Sequence, residues 1–320
     1  MERSVSLDIC RLILTIMVVG LHVGLLHEYN ELISFLLVDG LFRISVPIFF
    51  IINGFYFYKV VENGGVRRWL FRMLGLYVVW MLFYMPFWMN VSELSGETAK
   101  DLITKIFFGY YHLWYVAGTL YAGALLYVVR KYDHFYMVVM STTLFLIGVF
   151  IQYSGNYGVF EVLSIAKYFN YDFFHRNFLF FAFPFVSLGF LINKFTIYKE
   201  LSSSAVYFFV IVGFILLMTE SYFNGSNQNR VGGFDNYLSL VVVAPAVFLA
   251  CLKNKIPAPK NTKFIATYCS SVYFIHVFVL FEARNYFLLN SIALFVFVLV
   301  VSAVLSVGLV GLNKKLKFIL

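Results

Sequence analysis

Residues Val5–Leu26 read VSLDICRLILTIMVVGLHVGLL. Almost every position is apolar, and the run matches the roughly 20 residues a helix needs to cross a bilayer core about 30 Å thick. Yet it holds Asp8, Arg11, Thr15 and His22. Charged groups in hydrocarbon cost several kcal/mol and usually face a polar interior or a water cavity. Arg11 and His22 lie about three turns apart, roughly 16 Å along the axis, and only about 20° apart around it. Thr15 lies on the same stripe, and Asp8 is one turn before Arg11. One polar seam therefore runs along an otherwise apolar helix. An Asp8–Arg11 ion pair and a packing histidine would explain the residues singly. Their alignment favours a site.

The rest of the chain has the same character. Of 320 residues, 62% are hydrophobic, 21% aromatic and only 12% charged. A globular domain carries about a quarter charged residues. The composition excludes disorder, a soluble enzyme, a coiled coil and a disulfide-rich secreted module. It predicts an all-α fold: a polytopic membrane helix bundle with about ten transmembrane helices. The windows are Val5–Leu26, Leu41–Tyr58, Trp69–Met89, His112–Val129, Phe135–Tyr153, Phe173–Ile192, Ala205–Tyr222, Tyr237–Leu252, Phe264–Phe281 and Ser291–Leu312. The first run is too long for a signal-peptide core of roughly 7–15 residues, so it reads as a retained helix. Thr98–Tyr110 has apolar positions at helical spacing among Lys100, Asp101 and Lys105, as a short interfacial helix does. No repeat or linker divides residues 1–320, which read as a single domain. Cys10, Cys251 and Cys269 are far apart, with no disulfide or metal-ligand spacing, so no metal is expected.

The net charge of +8 tests this topology. An even number of spans puts both termini on one side. That side collects 16 of the 24 basic residues against four acids, and the opposite loops hold six basic residues and eleven acids. Membrane proteins concentrate Lys and Arg in cytoplasmic loops. Both termini are therefore expected in the cytoplasm, and the positive charge signals orientation, with no nucleic-acid partner.

Other polar residues fall within or beside the spans. Arg43 opens the second helix just before Ser45-Val-Pro-Ile-Phe-Phe-Ile-Ile-Asn-Gly-Phe55. Pro47 should disturb this helix, and Asn53-Gly54 permits close approach of a backbone or ligand. A bent packing helix is the competing explanation. His112-Leu-Trp-Tyr115 stands at the outer end of the fourth helix, where Trp114 suits an interfacial anchor. Arg176 precedes the sixth helix as a snorkelling anchor would. His276 lies inside the ninth. Arg67, Arg68 and Arg72 begin the third helix, where they suit phosphate groups and equally satisfy the positive-inside rule.

Taken in order, these residues resemble the acyltransferase-3 family of integral membrane acyltransferases, many of which O-acetylate bacterial surface glycans. The resemblance rests on Asp8-x2-Arg11, Arg11-x10-His22, Val46–Phe55, Arg72 with Tyr77, His112-Leu-Trp-Tyr115, Arg176 with Phe183-Pro-Phe185 and Gly189-Phe190, and Ser271–His276. It covers helices one to nine. It implies a ten-helix fold, an acyl-CoA donor (most often acetyl-CoA) entering from the cytoplasm, His22 as the central catalytic residue and Arg11 as its companion. The family often has two arginines three apart opening the third helix. Here Trp69 takes the earlier place, with Arg68 displaced by one. The resemblance further implies a bacterial inner-membrane protein of polysaccharide or lipopolysaccharide biosynthesis, embedded in membrane lipid, with a cell-envelope glycan or lipid-linked saccharide as acceptor.

Acyl transfer to a hydroxyl needs a base near pH 7, and imidazole, with a pKa near 6.5, supplies one. His22 is the expected base. Arg11 suits the donor's polar arm. Asp8, Arg43, Asn53, His112, Trp114, Arg176 and His276 are expected to support or line the cavity, and Arg67, Arg68 and Arg72 to hold the donor phosphates. Cys10 points about 100° away from Arg11 and has no adjacent base, which argues against an acyl-cysteine. The alternative is a proton-coupled transporter or flippase of a lipid-linked glycan, with the seam as its path. The loops Asn90–Tyr111, Ser154–Asp172 and Tyr222–Asn236 are expected to choose the acceptor.

Overall fold

The computed structural model describes residues 5–89, 96–160, 166–227, 229–254, 256 and 263–320, without the side chains of 96, 97, 166, 167 and 263. Arg3, Lys255 and Lys260 of the orientation argument, and the first residues of the 90–111 loop, lie outside them. Among the described residues there is no strand. Each expected window holds a helix: α1 Val5–Val23, α2 Ser45–Glu62, α3 Val66–Phe83, α4 Trp114–Val129, α5 His134–Asn156, α6 Phe183–Lys194, α7 Ser203–Ser226, α8 Leu240–Lys253, α9 Lys263–Tyr286 and α10 Ser291–Asn313. Seven segments in this set are long and apolar enough to cross a membrane. The segments at α6 and α8 are apolar but short, and α3 carries Arg67, Arg68 and Arg72. The protein is an all-α, multi-pass membrane bundle.

Contacts between helix ends fix the relative direction of the chain. At the end of α1, Arg284 of α9 donates to the carbonyls of His22 and Val23, at 3.4 and 3.3 Å. Leu26 N–H donates to the Ser291 hydroxyl at 2.9 Å, where α10 begins. So α10 runs back to the end where α1 starts, and both termini share one end of the bundle. We call it the termini end, and its opposite the far end.

Two departures from the expected boundaries position the site. The second helical segment begins at Glu31, ten residues early, capped by Asn30, whose side chain accepts from Ile33 N–H. It passes through π-helical turns at Phe35–Gly40 and a 3-10 turn at Leu41–Ile44 before becoming α2. Pro47 lies in the first turn of α2. It has no N–H for the Arg43 carbonyl, and its ring crowds that group, so the irregularity falls just before it. The same device recurs at α6. Pro184 stands in its first turn, behind π-helical turns at Phe178–Ala182 capped by Asn177.

These two helices cross at backbone contact. A methyl on Gly54 would stand 1.9 Å from the Val186 carbonyl oxygen, and one on Gly189 would stand 2.0 Å from that of Ile51. Only glycine at both positions allows this crossing, which answers the expectation for Asn53-Gly54: the partner that approaches is a backbone. A second apolar cluster joins α1, α3, α9 and α10 around Val19, Trp80, Phe274 and Val298.

Candidate active site

The far end of α1 carries His22 into a cavity of about 760 Å³. One wall is the amphipathic helix Gly96–Phe108, the helix expected at Thr98–Tyr110. It is held by the Tyr77 hydroxyl of α3, which donates to the Ile106 carbonyl at 2.8 Å. Its polar face brings Lys100, Asp101, Thr104 and Lys105 to the cavity. The chain then turns through Gly109, at φ +92°, and Tyr111, at φ +49°. A side chain at Gly109 would collide with the Trp114 nitrogen at 2.6 Å, so the turn requires glycine. The left-handed Tyr111 costs backbone strain of the kind that collects at ligand sites. This turn delivers Tyr111, His112 and Trp114 together.

Three histidines from three elements meet here. The ring centre of His22 is 5.2 Å from His276 and 6.3 Å from His112, and those two are 5.3 Å apart. Tyr111 packs on His22 at 5.0 Å. Burial separates their roles. His276 and His112 are 0% and 1% exposed, and neither lines the cavity. His22 is partly exposed and does line it. The two buried rings stand behind the accessible one; of the two roles expected for them, supporting and lining, their place is behind the cavity wall. Among the described residues, no three His, Cys, Asp or Glu side chains converge as metal ligands.

The arginines at the rim are held by carboxylates. Arg43 donates to Asp39 and Asp235 through its two terminal nitrogens. Arg176 reaches Asp235 at 3.2 Å and Asp172 at 2.5 Å, and its guanidinium lies 5.2 Å above the Trp114 ring. Asp235 is the hub. Its own N–H and that of Asn236 donate to the Gln152 side-chain oxygen, at 2.8 and 3.0 Å. Burial acts to raise the Asp235 carboxyl, but Arg176 and Arg43 beside it prevail and hold it down at about 2. Asp235 was counted in the sequence only as one acid in a loop.

Other expected residues sit elsewhere. Arg11 pairs with Asp8 at 3.0 Å, toward the termini end, with its guanidinium 5.5 Å over Tyr56. The Thr15 hydroxyl donates to the Arg11 carbonyl at 2.8 Å, so it belongs to its own helix as well as to the seam. Asn53 donates to the Tyr115 hydroxyl at 2.8 Å and to Thr119 at 3.3 Å, away from the cavity. Arg67, Arg68 and Arg72 do gather. They line a cleft of about 890 Å³ at the termini end with Lys317 and Phe318. Arg72 donates to the Leu320 carbonyl at 3.1 Å. All three arginines are exposed, and no carboxylate side chain pairs with them among the described residues.

The sequence model of the acyltransferase-3 family, described as an acyltransferase domain, matches residues 4–311. The chain belongs to this family. It is 27% identical to an amino-acid racemase of Enterococcus faecalis, over 99% of this chain and 47% of that protein. It is 26% identical to a serine/alanine racemase of Enterococcus gallinarum, over 78% of this chain and 37% of that protein. The chain thus spans less than half the length of these curated relatives. No solved structure matches it.

Proposed function

We propose that the protein is an O-acyltransferase that moves an acetyl group from cytoplasmic acetyl-CoA to a hydroxyl of a cell-envelope glycan or lipid-linked saccharide. The carrying observation is that His22, alone in a three-histidine cluster, reaches the far-end cavity. In this reading the termini end faces the cytoplasm of a bacterial inner membrane, as the Lys and Arg excess there requires. Arg67, Arg68 and Arg72 hold the nucleotide phosphates, for which exposed arginines with no carboxylate side chain beside them are well suited. The pantetheine arm follows the seam past Arg11. The acceptor sugar lies in the far-end cavity against Tyr111, Trp114 and Tyr171.

The chemistry closes on one imidazole. Neutral His22 takes the proton of the acceptor hydroxyl as its oxygen attacks the thioester carbonyl. The tetrahedral oxygen is stabilised by a donor at the rim. The C–S bond then breaks, and the imidazolium returns the proton to the departing thiolate. No acyl-enzyme is needed. General-base catalysis contributes roughly 10²–10⁴-fold, so His22→Ala should cost about that much.

Membranes supplied with radiolabelled acetyl-CoA and envelope glycan test the reading. Label should enter glycan with the wild-type protein and fall to background with His22→Ala at equal expression. Near-normal labelling by the variant overturns the proposal. Glycan movement across the membrane without label transfer selects the flippase instead.

A further inference from the structure

His276 has one ring nitrogen committed. Its Nδ1 lies 2.6 Å from the Tyr273 carbonyl and 3.2 Å from that of Val272. A carbonyl only accepts, so Nδ1 carries the proton and Nε2 is left as a bare acceptor. That Nε2 is fully buried and has no hydrogen-bond partner among the described residues. A buried polar atom without a partner costs about 1–3 kcal/mol and calls for an explanation. The nearest ring from another helix is His22, with ring centres 5.2 Å apart. Two imidazoles joined end-on by one N–H···N bond have centres about 5 Å apart, given bonds of about 3 Å.

The local shape of α9 supports the same assignment. The hydroxyl of Tyr84, the residue that follows α3, donates to the Phe274 carbonyl at 2.7 Å and accepts from Phe278 N–H at 3.0 Å. In an uninterrupted helix these two groups pair with each other. Tyr84 bonds to both members of that pair, and the turn they close brackets His276. Tyr84 is fully buried and also meets His112 edge-on at 5.1 Å. Its effect is to set the pitch of the turn that carries His276.

We propose that His276 is a positioning residue for acyl transfer. The two rings are not bonded in the structure, but a small rotation of the His22 ring lets one of its nitrogens donate to the bare Nε2, and Tyr84 clamps the α9 turn that aims it. The bond fixes His22 in the tautomer whose other nitrogen is a free lone pair toward the cavity. When that nitrogen takes the acceptor proton, the imidazolium N–H still donates to neutral His276, which itself neither gains nor loses a proton. The proposal rests on His22 as the base.

The test compares His276→Gln, whose side-chain oxygen can accept the same bond, with His276→Phe, which fills the space without an acceptor. Purified protein is assayed for kcat and for the KM of both substrates. His276→Phe should lower kcat about 10–100-fold, by analogy with metal-bound histidines that lose an orienting partner, with the KM values for acetyl-CoA and envelope glycan unchanged. His276→Gln should recover most of kcat. Tyr84→Phe should lower kcat by less than His276→Phe, again without a change in KM. A normal kcat in His276→Phe overturns the proposal. So does a glutamine variant no better than phenylalanine, which would mean a packing role. If His276→Phe does not fold, the glutamine variant and Tyr84→Phe decide: losses carried in KM overturn it. Activity retained by His22→Ala would overturn the base assignment itself. An inactive His22→Ala with normal His276 variants would overturn only the positioning role.

Discussion

Two groups of arginines stand at opposite ends of the bundle. At the far end, Arg43 and Arg176 share Asp235, and each has a second carboxylate of its own. At the termini end, Arg67, Arg68 and Arg72 line an open cleft with no carboxylate side chain beside them among the described residues. An arginine already bonded on both terminal nitrogens has little left for an anion. Its worth is in joining segments, and here it joins the turn before α2, the turn before α6 and the loop before α8. An exposed arginine with no carboxylate side chain beside it contributes little to stability, and the fork is left largely open to phosphate, although Arg72 spends one nitrogen on the Leu320 backbone oxygen. One residue type thus builds the cavity at one end and offers a ligand site at the other.

The largest expected effect comes from removing the hub. Asp235→Ala leaves two partly buried guanidiniums short of a partner, and an unsatisfied polar group of this kind costs about 1–3 kcal/mol. Thermal unfolding in detergent should show that loss, and the far-end cavity should lose its rim. Asp235→Asn should fall between. A variant as stable as wild type would break the comparison, because the far-end arginines would then be no more structural than those at the termini end.

The first polar seam was legible because helical period and the cost of charge in lipid act locally. Asp8 and Arg11 had to share a face, and they pair at 3.0 Å, with His22 farther along the same helix. His276 and His112 were visible singly. Their meeting behind His22 depends on how α1, α9 and the turn at Tyr111 pack, which no local period encodes. Asp235 could not be singled out, since an acid in a polar loop is ordinary. Only the fold brings it to Arg43, 192 residues away. Tyr84 looked like one more aromatic in an aromatic chain. The early start at Glu31 lies outside the expected window that opens at Leu41, because π-helical turns at Phe35–Gly40 carry a helical segment into it.

Next in size is the ligand side of the comparison. Changing Arg67, Arg68 and Arg72 together to glutamine should raise the KM for acetyl-CoA about 10–100-fold, since each tenfold corresponds to about 1.4 kcal/mol. The unfolding temperature should stay near that of wild type, as expected for surface charges outside any ion-pair network. Equal losses of stability at both ends would erase the distinction.

Acid separates the ends by a smaller amount. The folded Asp235 carboxyl titrates at about 2, below its ordinary 3.8. A depressed carboxylate stabilises the fold fully above the unfolded value, and that stability is lost as pH falls through 3.8 toward 2. Thermal stability should therefore be level from neutral pH to about pH 5 on account of this group. It should then decline below about pH 4, and less steeply in Asp235→Asn than in wild type. A decline of equal depth in both would show that other carboxylates carry the acid sensitivity.

Salt gives the smallest and most selective contrast. The screening length falls from about 10 Å at 0.1 M to about 3 Å at 1 M. The open cleft lies in solvent, so added salt should weaken acetyl-CoA binding and raise its KM several-fold. The far-end pairs are largely shielded: Asp235 and Arg43 are each 14% exposed, and screening acts far less on partly buried charges. Unfolding temperature should hardly change over the same range. A KM insensitive to salt would mean that the three arginines do not carry the donor's phosphates. A steep fall in stability would mean that the Asp235 hub is wetter than its burial implies.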